Sequence, residues 1–381
     1  MITIGNTYLI HKDGQVRLCA DLTLNGKGTT LWFGVDEAYG EYLCHQRSDA
    51  FIMALLPTAM RGGYEIVCET PMSERLHYQL SNYLIPTLSD TCDIYHSVKI
   101  RATLTADRIP TAGAVGTGFS GGVDCLYTIL THGKDNPLPL THVAVFNTGV
   151  FEGPAYREAF KHSCRNAQRF SEESGMPLVC VDSNISEVLP ERYLDVFSYR
   201  LCAFALALQP LFSVYLLSSS YDASVFYINP HACDSYNALL IHCAQTETLT
   251  VYHSGSQAKR LEKTKALSAF PIAYRWFHPC IYGHVGERNC GHCRKCIREG
   301  SILYAMGKLD LFEAVFDIAG FKKSLPQHLG FLLANRDKSI YYDDDIAVEF
   351  IEQSGITIPP SAHIFAKQFR RSMKNLQEKK K

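Results

Sequence analysis

A glycine-rich segment between a predicted strand and a predicted helix limits the fold classes that this chain can adopt. The segment is Gly116-Thr-Gly-Phe-Ser-Gly-Gly-Val-Asp-Cys125, with an apolar strand predicted over residues 112–115 and a helix over residues 123–132. Glycine permits the tight turn that such a connection needs. Apolar strands predicted over residues 142–146 and 178–181 alternate with helical segments. This alternation predicts an α/β fold built on a doubly wound parallel sheet.

Two later segments complete the prediction for the central part of the chain. A further strand is predicted over residues 224–228. The longest apolar run, residues 201–217, contains Gln209 and Pro210, so we interpret it as a buried helix and not as a membrane span. The first residues lack the basic and apolar regions of a signal peptide, which makes the cytoplasm the expected location.

The chain is long enough for more than one domain. It has 381 residues, and we predict an N-terminal α+β accessory domain over residues 1–108. In that domain a helix over residues 49–56 is expected to stop at Pro57, and another is expected to begin at Ser73. The nucleotide-binding domain is predicted over residues 109–300. A helical C-terminal region with a basic tail is predicted over residues 301–381.

Charge and cysteine usage limit the classes of function. The chain carries 37 Lys and Arg against 38 Asp and Glu, a net charge of -1, which argues against a protein that coats nucleic acid. Of the 14 cysteines, ten are scattered along the chain and four lie within 17 residues. In a chain with no predicted secretion signal, scattered cysteines are typical of reduced, buried thiols.

The glycine-rich segment matches three known patterns. One is the dinucleotide fingerprint G-x-G-x-x-G, which normally has an acidic residue after the second strand, where this chain has Asn147. A second is the hydrolase pattern G-x-S-x-G, for which Asp234 and His253 are in the right order, although any chain of this length offers such pairs. The third is the S-G-G-x-D pattern of a pyrophosphate-binding loop, and a tight turn without a ligand is the remaining alternative.

Phosphate chemistry favours the third pattern. Gly121 and Gly122 let backbone N–H groups approach phosphate oxygens, and Ser120 can donate a hydroxyl hydrogen bond. The positive end of the following helix dipole favours an anion there. Asp124 is then expected to hold Mg²⁺ that bridges the phosphates. Cys125 is interpreted as a small buried residue in the first helical turn, with a nucleophile as the alternative.

The four clustered cysteines predict a metal site. Cys280, Cys290, Cys293 and Cys296 have the spacing C-x9-C-x2-C-x2-C, and four thiolates suit a closed, structural, tetrahedral Zn²⁺ site. An iron–sulfur cluster is the alternative. His278, His284 and His292 lie nearby in the sequence and are expected to surround the site, although one of them can replace a cysteine.

Four further residues are candidates for ligand contact. Lys263 and Lys265 either contact phosphate or form a charged helix face. Arg200 lies at the start of an apolar helical segment, either in the site or at a solvated end. Asp234 lies in a loop after the strand predicted over residues 224–228, and loops after parallel strands line the ligand crevice.

The S-G-G-x-D loop and the cysteine spacing together resemble the ATP pyrophosphatase (PP-loop) superfamily, and within it 7-cyano-7-deazaguanine synthase. The resemblance covers residues 112–300 and implies an adenine nucleotide α-hydrolase-like fold. Lys263 matches the lysine of the family's Leu-Thr-Lys segment. The chain departs from the family's motifs in three places. The last serine of the family's loop is Cys125 here, its Asp-Tyr-Gly after the second strand is Asn147-Thr-Gly149, and its Arg-Asn at the start of the later helix is Arg200-Leu201. The extra N-terminal domain looks more like the synthase-like proteins of bacterial anti-phage operons, such as type IV CBASS and Qat.

The resemblance implies an ATP-dependent ligase with ATP, Mg²⁺ and Zn²⁺. A carboxylate, 7-carboxy-7-deazaguanine for example, is expected to form an acyl-adenylate with release of pyrophosphate. An amine, from ammonia or the amino terminus of a partner protein, then displaces AMP. Nitrile synthesis for queuosine-type products, sulfur transfer to tRNA and a catalytically silent nucleotide-binding component are the alternatives. No membrane or nucleic-acid partner is expected, and a homodimer remains open.

The residues assigned to these roles form three groups. Catalytic roles are expected for Ser120, Asp124 and Lys263. The expected metal ligands are Cys280, Cys290, Cys293 and Cys296. The expected nucleotide-binding residues are Gly118, Phe119, Ser120, Gly121, Gly122, Val123, Asp124, Asn147, Arg200 and Asp234.

Overall fold

The computed structural model of the protein describes residues 1–150, 156–189, 191–281, 288–336 and 342–378. Its contacts divide the chain into two compact units. The sheet unit comprises Met1–Phe119 and Thr131–Gln257, and the helical unit comprises Ser120–Leu130 and Ala258–Lys381. These divisions do not coincide with the domain boundaries predicted at residues 108 and 300.

The sheet unit contains a ten-stranded sheet and a separate two-stranded one. The strands are β1 (Ile2–Lys12), β2 (Gln15–Leu24), β3 (Lys27–Asp36), β4 (Ile66–Cys68), β5 (Met72–Ser73), β6 (Ile100–Arg101), β7 (Leu104–Thr105), β8 (Ala114–Gly118), β9 (His142–Phe146), β10 (Leu178–Ser183), β11 (Phe212–Ser218) and β12 (Thr250–Ser254). The order in the large sheet is β12-β11-β8-β9-β10-β3-β2-β1-β4-β6, and β5 pairs with β7.

The large sheet joins a parallel part to a meander. Strands β8 to β12 pair in parallel, whereas β3, β2 and β1 form antiparallel hairpins. An antiparallel pair between β10 and β3, with Asp182 opposite Gly34, connects the two parts. The described chain is therefore α/β with a large, mostly parallel sheet, as the sequence predicts at this level. The N-terminal strands extend that sheet and share one buried core with it.

Helices account for most of the remaining described residues. In the sheet unit they are α1 (Asp49–Gly62), α2 (Glu74–Gln79), α3 (Ile85–Thr91), α5 (Tyr156–Ser174), α6 (Ile185–Val188), α7 (Tyr193–Ala207) and α8 (Asn237–Cys243). The helical unit contains α4 (Val123–Thr131), α9 (Arg260–Leu267), α10 (Ala273–Trp276), α11 (Arg294–Ala305), α12 (Ile318–Lys323), α13 (Leu325–Asn335), α14 (Tyr342–Gln353) and α15 (Pro360–Glu378). Only the last residue of α4, Thr131, is assigned to the sheet unit. The helical C-terminus is confirmed for these described residues.

Three local predictions are wrong. The helix expected to stop at Pro57 continues to Gly62, because its apolar residues pack into the core and compensate for the hydrogen bond that proline cannot donate. Residues 224–228 form no strand; the strand after β11 is instead β12. The apolar run over residues 201–217 is not one helix, since α7 ends before Pro210 and β11 begins after it.

Asp49, at the start of α1, makes stability depend on pH. Its carboxylate is fully buried and accepts hydrogen bonds from the Ser73 backbone N–H at 2.8 Å and from Gln209 Nε2 at 3.1 Å. Burial outweighs these bonds and raises the pKa of Asp49 from 3.8 to about 6. Because the folded state binds this proton more tightly than the unfolded state, Asp49 favours folding more as pH falls through 6.

We expect the Asp49 contribution to the free energy of unfolding to rise by about 1 kcal/mol between about pH 7 and pH 5. The measurement is denaturant unfolding of the wild-type chain and Asp49→Asn across this range. The difference between the two isolates Asp49 from other titrating groups. A difference that does not vary with pH would contradict the expectation.

Candidate functional site

The glycine-rich segment begins at the end of β8, where the strand order of the parallel part reverses. Strands β8, β9 and β10 follow one another in one direction across the sheet, whereas β11 and β12 lie on the other side of β8. Ligands of open α/β sheets bind beyond the carboxyl ends of the strands at such a reversal. Gly118 ends β8, and the Phe119 N–H donates to the Ala144 carbonyl at 2.8 Å. Topology thus places the segment at the expected ligand end of the sheet.

In the helical unit, the segment continues as a turn that requires glycine. Gly121 has a φ of +69°, and a Cβ there would lie 2.7 Å from the Trp276 carbonyl oxygen. The Gly121 carbonyl accepts a 2.7 Å hydrogen bond from the His278 N–H. Ser120 is exposed, and its hydroxyl lies 3.3 Å from the Gly122 nitrogen. The turn therefore places an exposed hydroxyl at the start of α4, and in this structure the Gly122 N–H donates to that hydroxyl.

Replacing Gly121 with alanine is expected to lower the free energy of unfolding by about 1–3 kcal/mol, through backbone strain and the close approach to Trp276. The sequence predicts that this turn binds the phosphates of ATP, and on that prediction the change should also weaken ATP binding, because the turn cannot keep its shape. Gly122→Ala is the matched control, since Gly122 has no positive φ and its Cβ would meet only the Ser120 hydroxyl at 3.3 Å. Equal effects of the two changes, by denaturant unfolding and ATP titration, would contradict this.

Asp124, in the first turn of α4, is paired with two cations. Its Oδ2 lies 2.7 Å from Arg260 Nη1, and its Oδ1 lies 3.0 Å from Lys263 Nζ. Burial alone would raise the pKa of the Asp124 carboxyl, but Arg260 and Lys263 outweigh burial and hold that pKa below 3.8. The Lys263 side chain is only 2% exposed. The structure therefore brings together Asp124 and Lys263, two of the predicted catalytic residues.

These contacts do not fit Asp124 as a magnesium ligand. Each carboxylate oxygen already faces a cation, so Mg²⁺ would have to displace Arg260 or Lys263 or share an oxygen with it. Lys265, the other candidate on α9 for phosphate contact, instead has its Nζ 4.4 Å from the centre of the Phe350 ring. Arg260 was not among the predicted site residues, and its i,i+3 spacing to Lys263 on α9 was the signal that could have found it.

An ion-pair network in the helical unit extends from Arg260. Arg260 Nε lies 3.5 Å from Asp343, which lies 3.3 Å from Arg298. Arg298 also contacts Glu299 at 2.9 Å and Asp344 at 3.5 Å, and both acids are fully buried. Helices α9, α11 and α14 are thereby joined by charged side chains. Asp343 thus gives the Arg260 guanidinium a second acidic neighbour besides Asp124.

Asn147 and Arg200, in the sheet unit, are buried in the folded chain. Asn147 Nδ2 donates to Asp182 Oδ1 at 2.6 Å, whereas its Oδ1 has no partner among the described residues. Arg200 donates to the carbonyls of Thr148 at 2.9 Å and Leu189 at 3.1 Å. Burial lowers the pKa of Arg200. These contacts indicate that Arg200 holds the segment after β9 in place. Its role in nucleotide binding stays a prediction.

Asp234 and Cys125 have different surroundings from those expected. Asp234 lies in a 3-10 helix, Cys233–Tyr236, and lines a cavity of the sheet unit. The expected preceding strand does not exist, so the sequence argument for placing Asp234 at a strand end is wrong. Cys125 is buried, and burial raises the pKa of its thiol to about 11. The thiol therefore stays protonated at neutral pH, which agrees with its interpretation as a packing residue.

The four clustered cysteines converge on one point of the helical unit. The sulfur atoms of Cys280, Cys290, Cys293 and Cys296 all lie within 4.8 Å of one another. Two pairs are separated by 3.9 and 4.0 Å, close to the edge of about 3.8 Å that a tetrahedron with Zn–S bonds of about 2.3 Å would have. The cluster can therefore hold a metal ion such as zinc, and its dimensions suit one ion better than a multinuclear cluster.

Backbone and amide groups support this cluster. The N–H of Cys293 points to the Cys290 sulfur at 3.2 Å, and the N–H of Cys296 to the Cys293 sulfur at 3.5 Å. Asn289 accepts from the Cys280 N–H at 3.3 Å and donates to the carbonyls of two other residues, Phe277 and Val315. Sequence reasoning missed Asn289, because asparagine is not a ligand type and only its position beside Cys290 could have drawn attention to it.

The nearby histidines are not part of the described four-sulfur cluster. His292 is exposed and its Nδ1 lies 2.6 Å from the Cys290 carbonyl. His278 contacts Gly121 through its backbone. His284 lies outside the described residues. Four cysteines therefore account for a tetrahedral ligand set without a histidine.

Comparison with models of protein families, with curated proteins and with solved structures finds no match. Among the described residues, no helix combines the length and apolarity that crossing a membrane requires.

Proposed function

We propose that this chain is an ATP-dependent ligase of the PP-loop type that activates a carboxylate as an acyl-adenylate. One observation supports this most strongly: an S-G-G-x-D loop follows β8, the strand at which the order of the parallel sheet reverses. A phosphate-binding loop at that place is the common arrangement of nucleotide-binding α/β folds. Arg260 and Lys263 beside Asp124 add positive charge to the same unit as the loop.

In this proposal the loop holds the departing pyrophosphate. The backbone N–H groups of Gly121 and Gly122 and the Ser120 hydroxyl donate to its oxygens, helped by the α4 dipole. Asp124 keeps Lys263 and Arg260 in place, and these cations offset negative charge that develops between the α- and β-phosphates. Magnesium would arrive with ATP on the phosphates, and we assign it no protein ligand.

The proposed reaction consists of two displacement steps, one at the α-phosphorus of ATP and one at the acyl carbon. A carboxylate oxygen attacks the α-phosphorus, the bond to the bridging oxygen breaks, and pyrophosphate leaves. An amine nitrogen then attacks the acyl carbon, AMP departs, and the nitrogen loses a proton to solvent. Most of the rate enhancement would come from positioning and fixed charge. A metal held by the four cysteines would be structural, because such a set leaves no open coordination position.

The finer assignment follows the sequence resemblance alone. It proposes 7-carboxy-7-deazaguanine as the carboxylate and ammonia or the amino terminus of a partner protein as the amine, in an anti-phage system. The test is pyrophosphate release from ATP by metal-loaded protein, with and without this carboxylate. We expect stimulated release with AMP as the nucleotide product. ADP as the product, or release that ignores the carboxylate, would contradict the proposal.

A further inference from the structure

We infer that Lys295 is a third cation of the phosphate site, beside Arg260 and Lys263, and that its ammonium group binds the pyrophosphate portion of ATP. Lys295 lies in the first turn of α11, in the unit that also contains the Ser120–Asp124 loop. The inference rests on the proposed function, because it adds a residue to the site in which that function places the phosphates of ATP.

The cysteine cluster connects the loop to Lys295. The Gly121 carbonyl accepts from the His278 N–H at 2.7 Å, and Cys280 follows His278 by two residues. The sulfur of Cys280 lies 4.0 Å from the sulfur of Cys293, the residue that precedes α11. Lys295 comes two residues later. One backbone hydrogen bond, one sulfur–sulfur contact and two short runs of chain therefore bring Lys295 into the neighbourhood of the loop.

The packing of α11 beside α9 gives Lys295 charged neighbours. Glu299, four residues after Lys295, lies on the same face of α11, and it accepts a 2.6 Å hydrogen bond from the Thr264 hydroxyl on α9. Lys295 is one turn nearer the start of α11. There it interacts electrostatically with Arg260, at the start of α9, and with Asp124. Lys295 is therefore close to the groups that form the proposed phosphate site.

Lys295 differs from the other cations of this group in having no acidic partner. Each of the others forms an ion pair with a carboxylate, namely Arg260, Lys263, Arg294 and Arg298. The exposed Lys295 forms neither an ion pair nor a hydrogen bond within the described part of the chain. Repulsion from Arg260 and Arg298 is stronger than attraction by any nearby acid, and the start of a helix also disfavours a cation. A bound anion would offset this unbalanced charge.

Pyrophosphate suits this place better than a singly charged carboxylate. The lysine ammonium is a compact point charge, the form in which lysine commonly binds phosphate. Asp124 holds both Arg260 and Lys263, whereas the exposed Lys295 side chain has no such bond to break before it meets a ligand. The proposed function assigns the departing pyrophosphate to the loop near Lys295. The pyrophosphate portion is therefore the part of ATP that Lys295 binds.

Titration of the full-length, metal-loaded protein with inorganic pyrophosphate, ATP and AMP tests this role. Lys295→Gln should weaken binding of pyrophosphate and of ATP at least about tenfold, and should leave AMP binding unchanged. Lys295→Arg keeps the charge and should stay within about threefold of the wild type. Lys308→Gln is the matched control, because Lys308 is exposed, lies beyond the other end of α11 and forms no ion pair with a described residue.

Thermal unfolding separates a binding role from a structural one. Without ligand, Lys295→Gln should keep its metal and be at least as stable as the wild type, because the change removes repulsion from Arg260 and Arg298. Pyrophosphate should raise the melting temperature of the wild type more than that of the variant. A variant that loses metal or stability would show a structural role and overturn the inference.

The titrations also distinguish this inference from the proposed function. Pyrophosphate binding that is equally tight in the wild type and in Lys295→Gln would overturn the role of Lys295 and leave the proposed function standing. A wild type that binds neither ATP nor pyrophosphate would overturn the proposed function, and the inference with it.

Discussion

Replacing Asp124 with asparagine is expected to abolish AMP formation and to lower the free energy of unfolding by about 3 kcal/mol. Both effects have one cause. The asparagine cannot balance Arg260 and Lys263, which contact the two carboxylate oxygens at 2.7 and 3.0 Å. Lys263 is almost fully buried, so its charge would lose its partner without gaining water. The two cations would then no longer be held in place for phosphate.

The measurements are denaturant unfolding and AMP formation at a temperature where the variant is folded. Asp310→Asn is the control in the same unit, since Asp310 pairs with Lys322 on the surface, where an ion pair contributes little. It should leave both quantities nearly unchanged. Normal turnover in Asp124→Asn would remove the loop assignment, and normal stability would show that the buried pairing is unimportant.

The pairing of Asp124 with Arg260 and Lys263 also predicts how the free energy of unfolding changes in acid. The pKa of Asp124 is held below 3.8 in the folded protein, so its stabilising effect is present above about pH 4 and is lost as pH falls through the folded pKa. The difference in free energy of unfolding between wild type and Asp124→Asn should shrink below about pH 4. A constant difference down to the lowest pH at which the protein folds would contradict the ion-pair account.

Removing the metal, or replacing Cys293 with serine, is expected to lower the free energy of unfolding by at least about 4 kcal/mol. Cys293 and its three partners place their sulfur atoms within 4.8 Å of one another. One bound ion would join the segment around Cys280 to the start of α11, and without it these residues lose their cross-link. The expected metal content is one zinc ion per chain, with no visible absorption of the kind that an iron–sulfur cluster shows.

Elemental analysis and thermal unfolding with and without a chelator test this expectation. Cys164→Ser is the control, because Cys164 is only half-buried and lies on α5, outside the cluster. It should leave metal content unchanged. A chain that binds no metal, or one that binds metal without gaining stability, would contradict a structural zinc site.

Elements whose signal is local could be predicted from the sequence. Strand β9 has the bounds that its apolar run predicts, His142–Phe146, because a strand buried in a parallel sheet is apolar throughout. The start of α2 is equally local, since the Ser73 hydroxyl accepts from the Leu76 N–H, as a helix cap does. The convergence of the four cysteines also follows from their short spacing.

Features that depend on distant residues could not be predicted. Residues 225–227 are apolar and aromatic, as in a strand, but they form none. Val225 and Phe226 line a cavity, and the rings of Phe226 and Tyr227 are half exposed. The pairing of Asp124 with Arg260 joins residues far apart in the sequence, and charge types alone do not select partners. The fit of Pro57 inside α1 depends on packing around it. In each case tertiary contacts override a local preference.

Exchange of labelled pyrophosphate into ATP tests the central claim most directly, because only a reversible adenylation returns the label to ATP. We predict exchange that requires the carboxylate, proceeds without any amine, and disappears in Asp124→Asn. Exchange that is absent with 7-carboxy-7-deazaguanine and with other carboxylates, in protein that binds ATP and holds its metal, would contradict the account and favour a nucleotide-binding component without turnover.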